Sequence, residues 1–422
     1  MFEITFLGTS GGPLESFTCS LIIKPEDITY ETLSIDDQNN LDSLICIDGG
    51  SGIASLTSII YQESKYKTSK CNLLDYYDDS EDIQYYYNTN NLKITTPFIN
   101  LNQLQCINYT KKLFNKLNNF LITHPHLDHV NGVVINSAGY TTEKNYIPKL
   151  IYGSKYTTTS LQSNYFNGIV WPNMPSFNVV NLIELKFKKK YTIGNYTVIM
   201  FPLSHGELNI IEDYQRKTHT DKRSSSVTTI PQGINLKDFN NARKSSTASQ
   251  SSSLNEDNMD INEVSKNHYL SSAYLIELNS SFLLIFGDFE SDLISQLNYN
   301  LNIWKFISPL IINKQLKAII LECSNGLETN ENELYGHLTP KHIIEELKIL
   351  EKQCKLIDEN IEKPLKGLNI LINHVKEPIL SNNDENFKDP RKQILQNLLK
   401  LNESEKLGVD FSIALGGTSI IV

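Results

Sequence analysis

Thr123-His124-Pro125-His126-Leu127-Asp128-His129, followed by Val130-Asn131-Gly132-Val133-Val134-Ile135-Asn136-Ser137, decides how this 422-residue chain is read. Four groups able to bind a metal fall within six residues, and three of the chain's nine histidines are among them. The apolar run from Asn119 to Thr123 reads as a buried strand, and the apolar residues behind the histidines recur at helical spacing. The candidate ligands therefore stand where a strand gives way to a helix, so that loop side chains project from a rigid frame. Pro125 removes one backbone donor and biases His124 towards extended backbone. His124 and His126, alternate residues of an extended segment, then point the same way, while Asp128 and His129 leave the turn in another direction. That suits two metal ions side by side, one served by the histidine pair and the other by Asp128 and His129. One motif cannot complete a coordination sphere, so further donors are expected downstream.

Composition bounds the partners. The length admits one large domain with insertions or two to three ordinary ones, and 40% hydrophobic content is enough for a sizeable core. A net charge of -10 argues against a nucleic-acid partner. An anionic substrate would then need local positive charge, which metal ions can supply. The cysteines at 19, 46, 71, 106, 323 and 354 form no CxxC pair, so they read as reduced core thiols of a cytoplasmic protein. Met1 to Gly8 has an early acid and too short an apolar run for a signal peptide, and no stretch could span a bilayer, so no membrane partner is expected.

Residues 2–7 alternate as a strand and run into Gly8-Thr9-Ser10-Gly11-Gly12-Pro13, a Gly-rich turn without the Lys-Ser/Thr of a P-loop. Strands are expected at 18–24 and 44–48, the second ending in Asp48-Gly49-Gly50, then a helix over 52–61. From 61 to 102 the chain turns polar and Tyr/Asn-rich and reads as a surface insertion. A helix over 104–117, a strand at 150–153, a helix over 154–163 and a strand pair at 181–187 and 191–202 follow. The Ser/Asn-rich stretch 212–267 has too few apolar residues to offset its ordering entropy and is expected to be a disordered insertion. Within it, Lys222-Arg223-Ser224-Ser225 and Arg243-Lys244-Ser245-Ser246 suit a basophilic protein kinase. Strands are expected again at 269–278, 281–287 and 316–323. Thr339 and Pro340 are the expected cap and first residue of a helix reaching Cys354. A strand at 368–373, a helix at 390–401 and a strand near 409–413 complete the chain.

Three later positions share one context, an apolar strand ending in His or Asp: His205, Asp288 and His374. With the first cluster they make seven donors at the same kind of junction, and in a layered α/β fold such strand ends converge on one edge.

The H-x-H-x-D-H run, the later His, Asp and His, the N-terminal Gly-rich turn and Asp48-Gly-Gly together resemble the metallo-β-lactamase fold. Within it, the segment from His124 to Ser137 resembles the signature of the class II cyclic-nucleotide phosphodiesterases of fungi. Phe166-Asn167 with Trp171-Pro172, Gly336-His337-Leu338-Thr339-Pro340 and Asn373-His374-Val375-Lys376-Glu377-Pro378 are similar to that family too. The resemblance implies a single catalytic domain over 1–422, an α/β sandwich of two mixed β-sheets between helices, with the site at one edge. It also implies two divalent metal ions, zinc foremost, the first held by His124, His126 and His205 and the second by Asp128, His129 and His374, with Asp288 bridging. Imidazole and carboxylate donors suit zinc, and iron and manganese accept the same ligand types. Asp48 is expected to orient a ligand histidine.

The implied reaction is hydrolysis of 3',5'-cyclic AMP, with cyclic GMP a second substrate, to the nucleoside 5'-monophosphate. Two metals on the order of 3.5–4 Å apart supply a strong nucleophile from water and charge compensation at the phosphoryl oxygens. The expected proton donor to the departing ribose 3'-oxygen is His337, positioned by Glu322, and Asp128 counts among the catalytic groups as well as the ligands. The alternative is an RNA-processing endonuclease of the same fold, of the tRNA 3'-end type, which shares the ligands but wants a basic RNA-gripping arm that this chain lacks. Phe166, Trp171 and several tyrosines are candidates for stacking on the base.

Overall fold

In Ile45-Cys46-Ile47 the outer two residues join one buried cluster and the middle one joins another, and the same split separates Leu121 from Phe120 and Ile122. Side chains alternate across a strand, so a sheet covered on both sides needs apolar residues at every position, sorted by parity into two cores. That parity is the signature of a layered sandwich, and the computed structural model, which describes residues 1–35, 42–140, 147–207, 268–377 and 388–422, has that architecture.

The strands are β1 (Phe2–Gly8), β2 (Ser20–Pro25), β3 (Ile45–Ile47), β4 (Lys93–Thr95), β5 (Asn119–Leu121), β6 (Lys149–Gly153), β7 (Val180–Glu184), β8 (Lys190–Ile193), β9 (Tyr196–Glu207), β10 (His268–Leu278), β11 (Ser281–Phe286), β12 (Leu316–Glu322), β13 (Asn369–Asn373), β14 (Asp410–Ile413) and β15 (Ser419–Ile421). One sheet runs β4-β15-β1-β2-β3-β5-β6-β7 and the other β14-β13-β12-β11-β10-β9-β8. Both are mixed: β1 and β2 are antiparallel while β3, β5, β6 and β7 run parallel, and β10 and β11 are antiparallel while β11 to β14 run parallel. Helices Ile53–Tyr66, Cys106–Lys116 and Leu127–Asn136 bury Leu56, Leu113 and Val133 against the first sheet's outer face. Helices Tyr299–Ile312, Pro340–Ile357 and Pro390–Glu405 bring Trp304, Leu347 and Leu398 to the larger core. The helix after the histidine motif and the Thr339 cap with Pro340 behind it lie where the sequence puts them.

Several expectations need correction. The segments 181–187 and 191–202 are not a strand pair: β7 lies parallel to β6 in the first sheet, while the partner of β9 is β8 in the second. Gly194-Asn195 makes the turn between β8 and β9, with Gly194 at φ 56, a conformation open to glycine. The stretch 61–102 is far from a solvated loop: it holds the end of one helix and edge strand β4, and it buries Leu73, Tyr77, Tyr86, Tyr87 and Phe98. Met1–Gly206 together with Leu270–Val422 forms one compact unit, which holds both sheets. The expected insertion at 212–267, with both basic-serine sites, lies outside the described residues. Among the described residues no helix is long and apolar enough to cross a membrane.

Candidate metal centre and active site

Strand ends from both sheets supply the site. Asp48 follows β3, the histidine motif follows β5, His205 lies near the end of β9, Asp288 follows β11, Glu322 closes β12 and His374 follows β13. Two of these, Asp48 at φ 55 and His374 at φ 54, occupy the left-handed region, which residues other than glycine enter at a cost. Asp48 uses that geometry. Its Oδ1 accepts the Thr123 amide at 2.8 Å, and its Oδ2 lies 2.8 Å from His129 Nδ1. The contact keeps the proton on Nδ1 and turns Nε2 into the site. Main-chain bonds from Gly49 N to His129 O (2.7 Å) and Val133 N to Gly49 O (2.7 Å) lace this turn to the metal-motif helix. Gly50 has no alternative there, since a Cβ would fall 1.8 Å from the Asp128 carbonyl oxygen.

All seven donors chosen from the sequence come together. His124, His126 and His205 offer ligand atoms within 4.8 Å of one another, and so do Asp128, His129, Asp288 and His374. Asp288 reaches both sets: its Oδ2 is 3.7 Å from His124 Nε2, 3.6 Å from His205 Nε2 and 3.1 Å from His374 Nε2, while Oδ1 is 3.3 Å from His129 Nε2. Asp128 Oδ2 lies 3.0 Å from His374 Nε2. His205 Nδ1 is held 2.9 Å from the Gly336 carbonyl oxygen, where Gly336 sits at φ 81 with no space for a side chain.

The chemistry of this basin fits metal ions. Asp48, Asp288 and Glu322 are buried and Asp128 partly so, yet among the described residues their partners are imidazoles, hydroxyls and amides, with no lysine or arginine to balance them. His124 Nε2 and His129 Nε2 are buried with no hydrogen bond, a costly condition that a cation would relieve. Burial, then neighbouring His129, holds His124 well below the ordinary imidazole range, and burial with His337 pushes His205 down to about 3. Those rings stand as neutral donors. At Asp288 burial alone would raise the carboxyl, but His374 and His129 together hold it well below its usual value. For His129 the opposing pair is burial, which lowers, and Asp288, Asp48 and Asp128, which prevail and raise it. An acid-rich pocket that keeps protons on imidazoles for want of another cation is a site where metal and proton compete.

Beside the ligands, His337 Nδ1 lies 2.9 Å from Glu322 Oε1 and 3.8 Å from Asp288 Oδ2. Both residues of the pair are buried. Two groups escaped the sequence reading. Ser324 touches the acid pair and His374 together, and the Cys19 sulfur lies within 4.8 Å of ligand nitrogens of His129 and His374. Ser324 carried a weak signal, standing two residues past Glu322 on the same strand face; Cys19 carried none. Phe166 is fully buried beneath the first sheet and so cannot stack on a base, while Trp171 is half-buried with its indole N–H on Ser137 Oγ at 3.1 Å. The N-terminal Gly-rich turn supports the His374 loop: Gly11 N donates to Val375 O at 3.0 Å and Glu377 N to Gly12 O at 2.8 Å.

Comparison with known proteins bears on the family and the fold. A sequence model of the family described as cAMP phosphodiesterases class-II matches residues 33–417. A 3',5'-cyclic-nucleotide phosphodiesterase of Candida albicans is 50% identical, with each chain covered in full. 3',5'-Cyclic-nucleotide phosphodiesterase 1 of Saccharomyces cerevisiae is 27% identical, again over the whole of both. The crystal structure of unliganded yeast PDE1 superimposes with a TM-score of 0.72 at 27% identity, over 100% of this chain and 99% of that one.

Proposed function

The chain belongs to the class II cAMP phosphodiesterases, and from that premise we propose that the His/Asp basin is where it opens 3',5'-cyclic AMP, using two divalent cations, zinc foremost. It is a 3',5'-cyclic-nucleotide phosphodiesterase. The observation that carries the assignment of the site is the pair of adjoining donor sets sharing Asp288, with Glu322–His337 alongside. His124, His126 and His205 would hold one cation and Asp128, His129 and His374 the other, with Asp288 between them. Cations bound there supply charge compensation to the phosphoryl oxygens and an acidic water at neutral pH.

The chain's own groups do the rest. Asp48 and Gly336 fix the tautomers of His129 and His205, so that each presents Nε2 inward. Asp128 and Asp288 balance the cations and leave the basin receptive to one anionic phosphodiester. Water attacks phosphorus in line with the bond to the ribose 3'-oxygen, that bond breaks, and the leaving oxygen needs a proton. His337 supplies it from Nε2, because Nδ1 is engaged on Glu322 Oε1. The product is the nucleoside 5'-monophosphate. Cyclic GMP is a second proposed substrate, since phosphate and ribose are common to both. Six free cysteines, five of them buried, support work in the reducing cytoplasm.

The test is turnover by purified protein of cyclic AMP, cyclic GMP and a precursor tRNA, with and without chelator. Chelator-sensitive release of AMP is expected. Cleavage of the tRNA alone would overturn the reading in favour of an RNA-processing enzyme.

A further inference from the structure

We propose that Ser324 is a positioning residue that joins His374 to the Glu322–His337 pair, so that one hydroxyl sets both the second cation site and the proton donor. This rests on the two-cation reading above. Glu322, Cys323 and Ser324 leave the end of β12 with alternating direction: Cys323 is fully buried in the core, while Glu322 and Ser324 face the basin. Ser324 Oγ is 2.5 Å from Glu322 Oε2, 2.8 Å from His374 Nδ1, 3.2 Å from His337 Nδ1 and 3.0 Å from the His374 carbonyl oxygen.

A hydroxyl has one proton to give and lone pairs to receive. The short contact to the Glu322 carboxylate takes that proton, as charge-assisted O–H···O⁻ bonds do. What remains on Oγ is an acceptor, and His374 Nδ1–H at 2.8 Å is the donor that fits it. The tautomer of His374 is thereby fixed, with Nε2 turned towards Asp128 (3.0 Å) and Asp288 (3.1 Å).

Glu322 carries the chain onwards. Its Oε1 accepts from His337 Nδ1 at 2.9 Å and from the Phe289 amide at 3.1 Å, one residue past Asp288. Two ligands and the proton donor thus hang on a single carboxylate, and Ser324 closes the gap between that carboxylate and His374. An alanine would fill most of the same volume yet leave His374 Nδ1–H buried with no acceptor on the hydroxyl, so the ring could turn or change tautomer.

The experiment compares the zinc-loaded full chain with Ser324→Ala and Ser324→Thr. Zinc per chain is followed against a graded chelator, histidine tautomers by ¹⁵N NMR, folding by near-UV circular dichroism, and kcat and KM with cyclic AMP. Ser324→Ala is expected to bind one of two zinc equivalents about 10–100-fold more weakly, with His374 no longer held as the Nδ1–H tautomer. Its kcat should fall with KM moved less than about twofold, and Ser324→Thr should restore zinc binding and kcat together. Wild-type zinc affinity and tautomer in the alanine variant overturn the proposal. So does equal loss of both equivalents with a collapsed near-UV spectrum, which would mark a merely structural role. If the unaltered chain binds two zinc ions but cleaves no cyclic nucleotide, the functional reading fails, and the zinc and NMR readouts still decide the role of Ser324.

Discussion

Two regions bury carboxylates, and they balance the charge differently. Around Tyr77, Tyr86, Glu377, Asp389 and Arg391 the chain supplies its own cation: Arg391 Nη1 is 2.5 Å from Glu377 Oε1 and its Nε 2.8 Å from Asp389 Oδ1. The Tyr77 hydroxyl donates to Glu377, the Tyr86 hydroxyl donates to Asp389, and the guanidinium lies over the Tyr77 ring. Around Asp128, Asp288 and Glu322 the chain supplies imidazoles, two of which have a buried nitrogen with no hydrogen bond. A buried acid needs a positive partner. Where that partner is covalently part of the chain the cluster is architecture; where it is left out the cluster is a receptor for ions.

Exchanging the shared ligand should break the second arrangement most severely. Asp288→Asn removes the one carboxylate that reaches both donor sets, and turnover of cyclic AMP should fall on the order of a thousandfold, with zinc content below two per chain by mass spectrometry. The opposite exchange, Arg391→Met, strands Glu377 and Asp389 without a cation. It should lower unfolding free energy by about 3–5 kcal/mol in urea titrations, with zinc stoichiometry kept in the folded fraction. If Arg391→Met instead lost zinc at unchanged stability, the distinction between architecture and receptor would be gone.

A finer cut separates holding ions from moving protons. His337→Asn keeps the seven proposed ligands and removes the imidazole that Glu322 orients, so kcat should drop about a hundredfold with both zinc equivalents retained. Loss of zinc in that variant would place His337 among the ligands.

The contrast between the regions also explains what could be read from sequence. The convergence of the seven side chains was legible because residue type was so restricted there: four possible donors packed into His124 to His129, and three strand ends closing in His or Asp, have few other uses. The arginine cluster was not, because its tyrosines lie about 300 residues from its acids and each member looks like an ordinary surface group. The same holds for the polar-looking stretch 61–102, in which Tyr77 and Tyr86 are buried with their hydroxyls on distant acids. Short strands escaped for a different reason. Lys93-Ile94-Thr95 and Ser419-Ile420-Ile421 are three residues each, and only pairing with one another and with β1 makes them strands. At β8 and β9 the signal existed in Gly194-Asn195 and was overridden by the apolar run behind it.

Glu63 shows a third solution, and the smallest predicted effect. It is buried with, among the described residues, neither a candidate metal site nor an arginine beside it; its Oε2 accepts the Phe98 amide at 2.9 Å and its Oε1 lies 3.3 Å from Ser69 Oγ. Burial raises this carboxyl to about 8, so at neutral pH it stays protonated in the folded chain. In the unfolded chain it ionises near the ordinary glutamate value of 4.5. Below that value both states carry the proton and nothing is lost. As pH climbs to about 8, the unfolded state releases a proton that the folded state keeps, and stability declines. Glu63→Gln removes the titration while retaining an oxygen for Phe98 and an amide to donate to Ser69. The variant should therefore match the parent near pH 4.5 and exceed it by about 1–3 kcal/mol near pH 8, read from urea midpoints at both values. An advantage at the acid end, or none at the alkaline end, would mean that Glu63 is ionised in the fold and draws on a cation, as the other two clusters do.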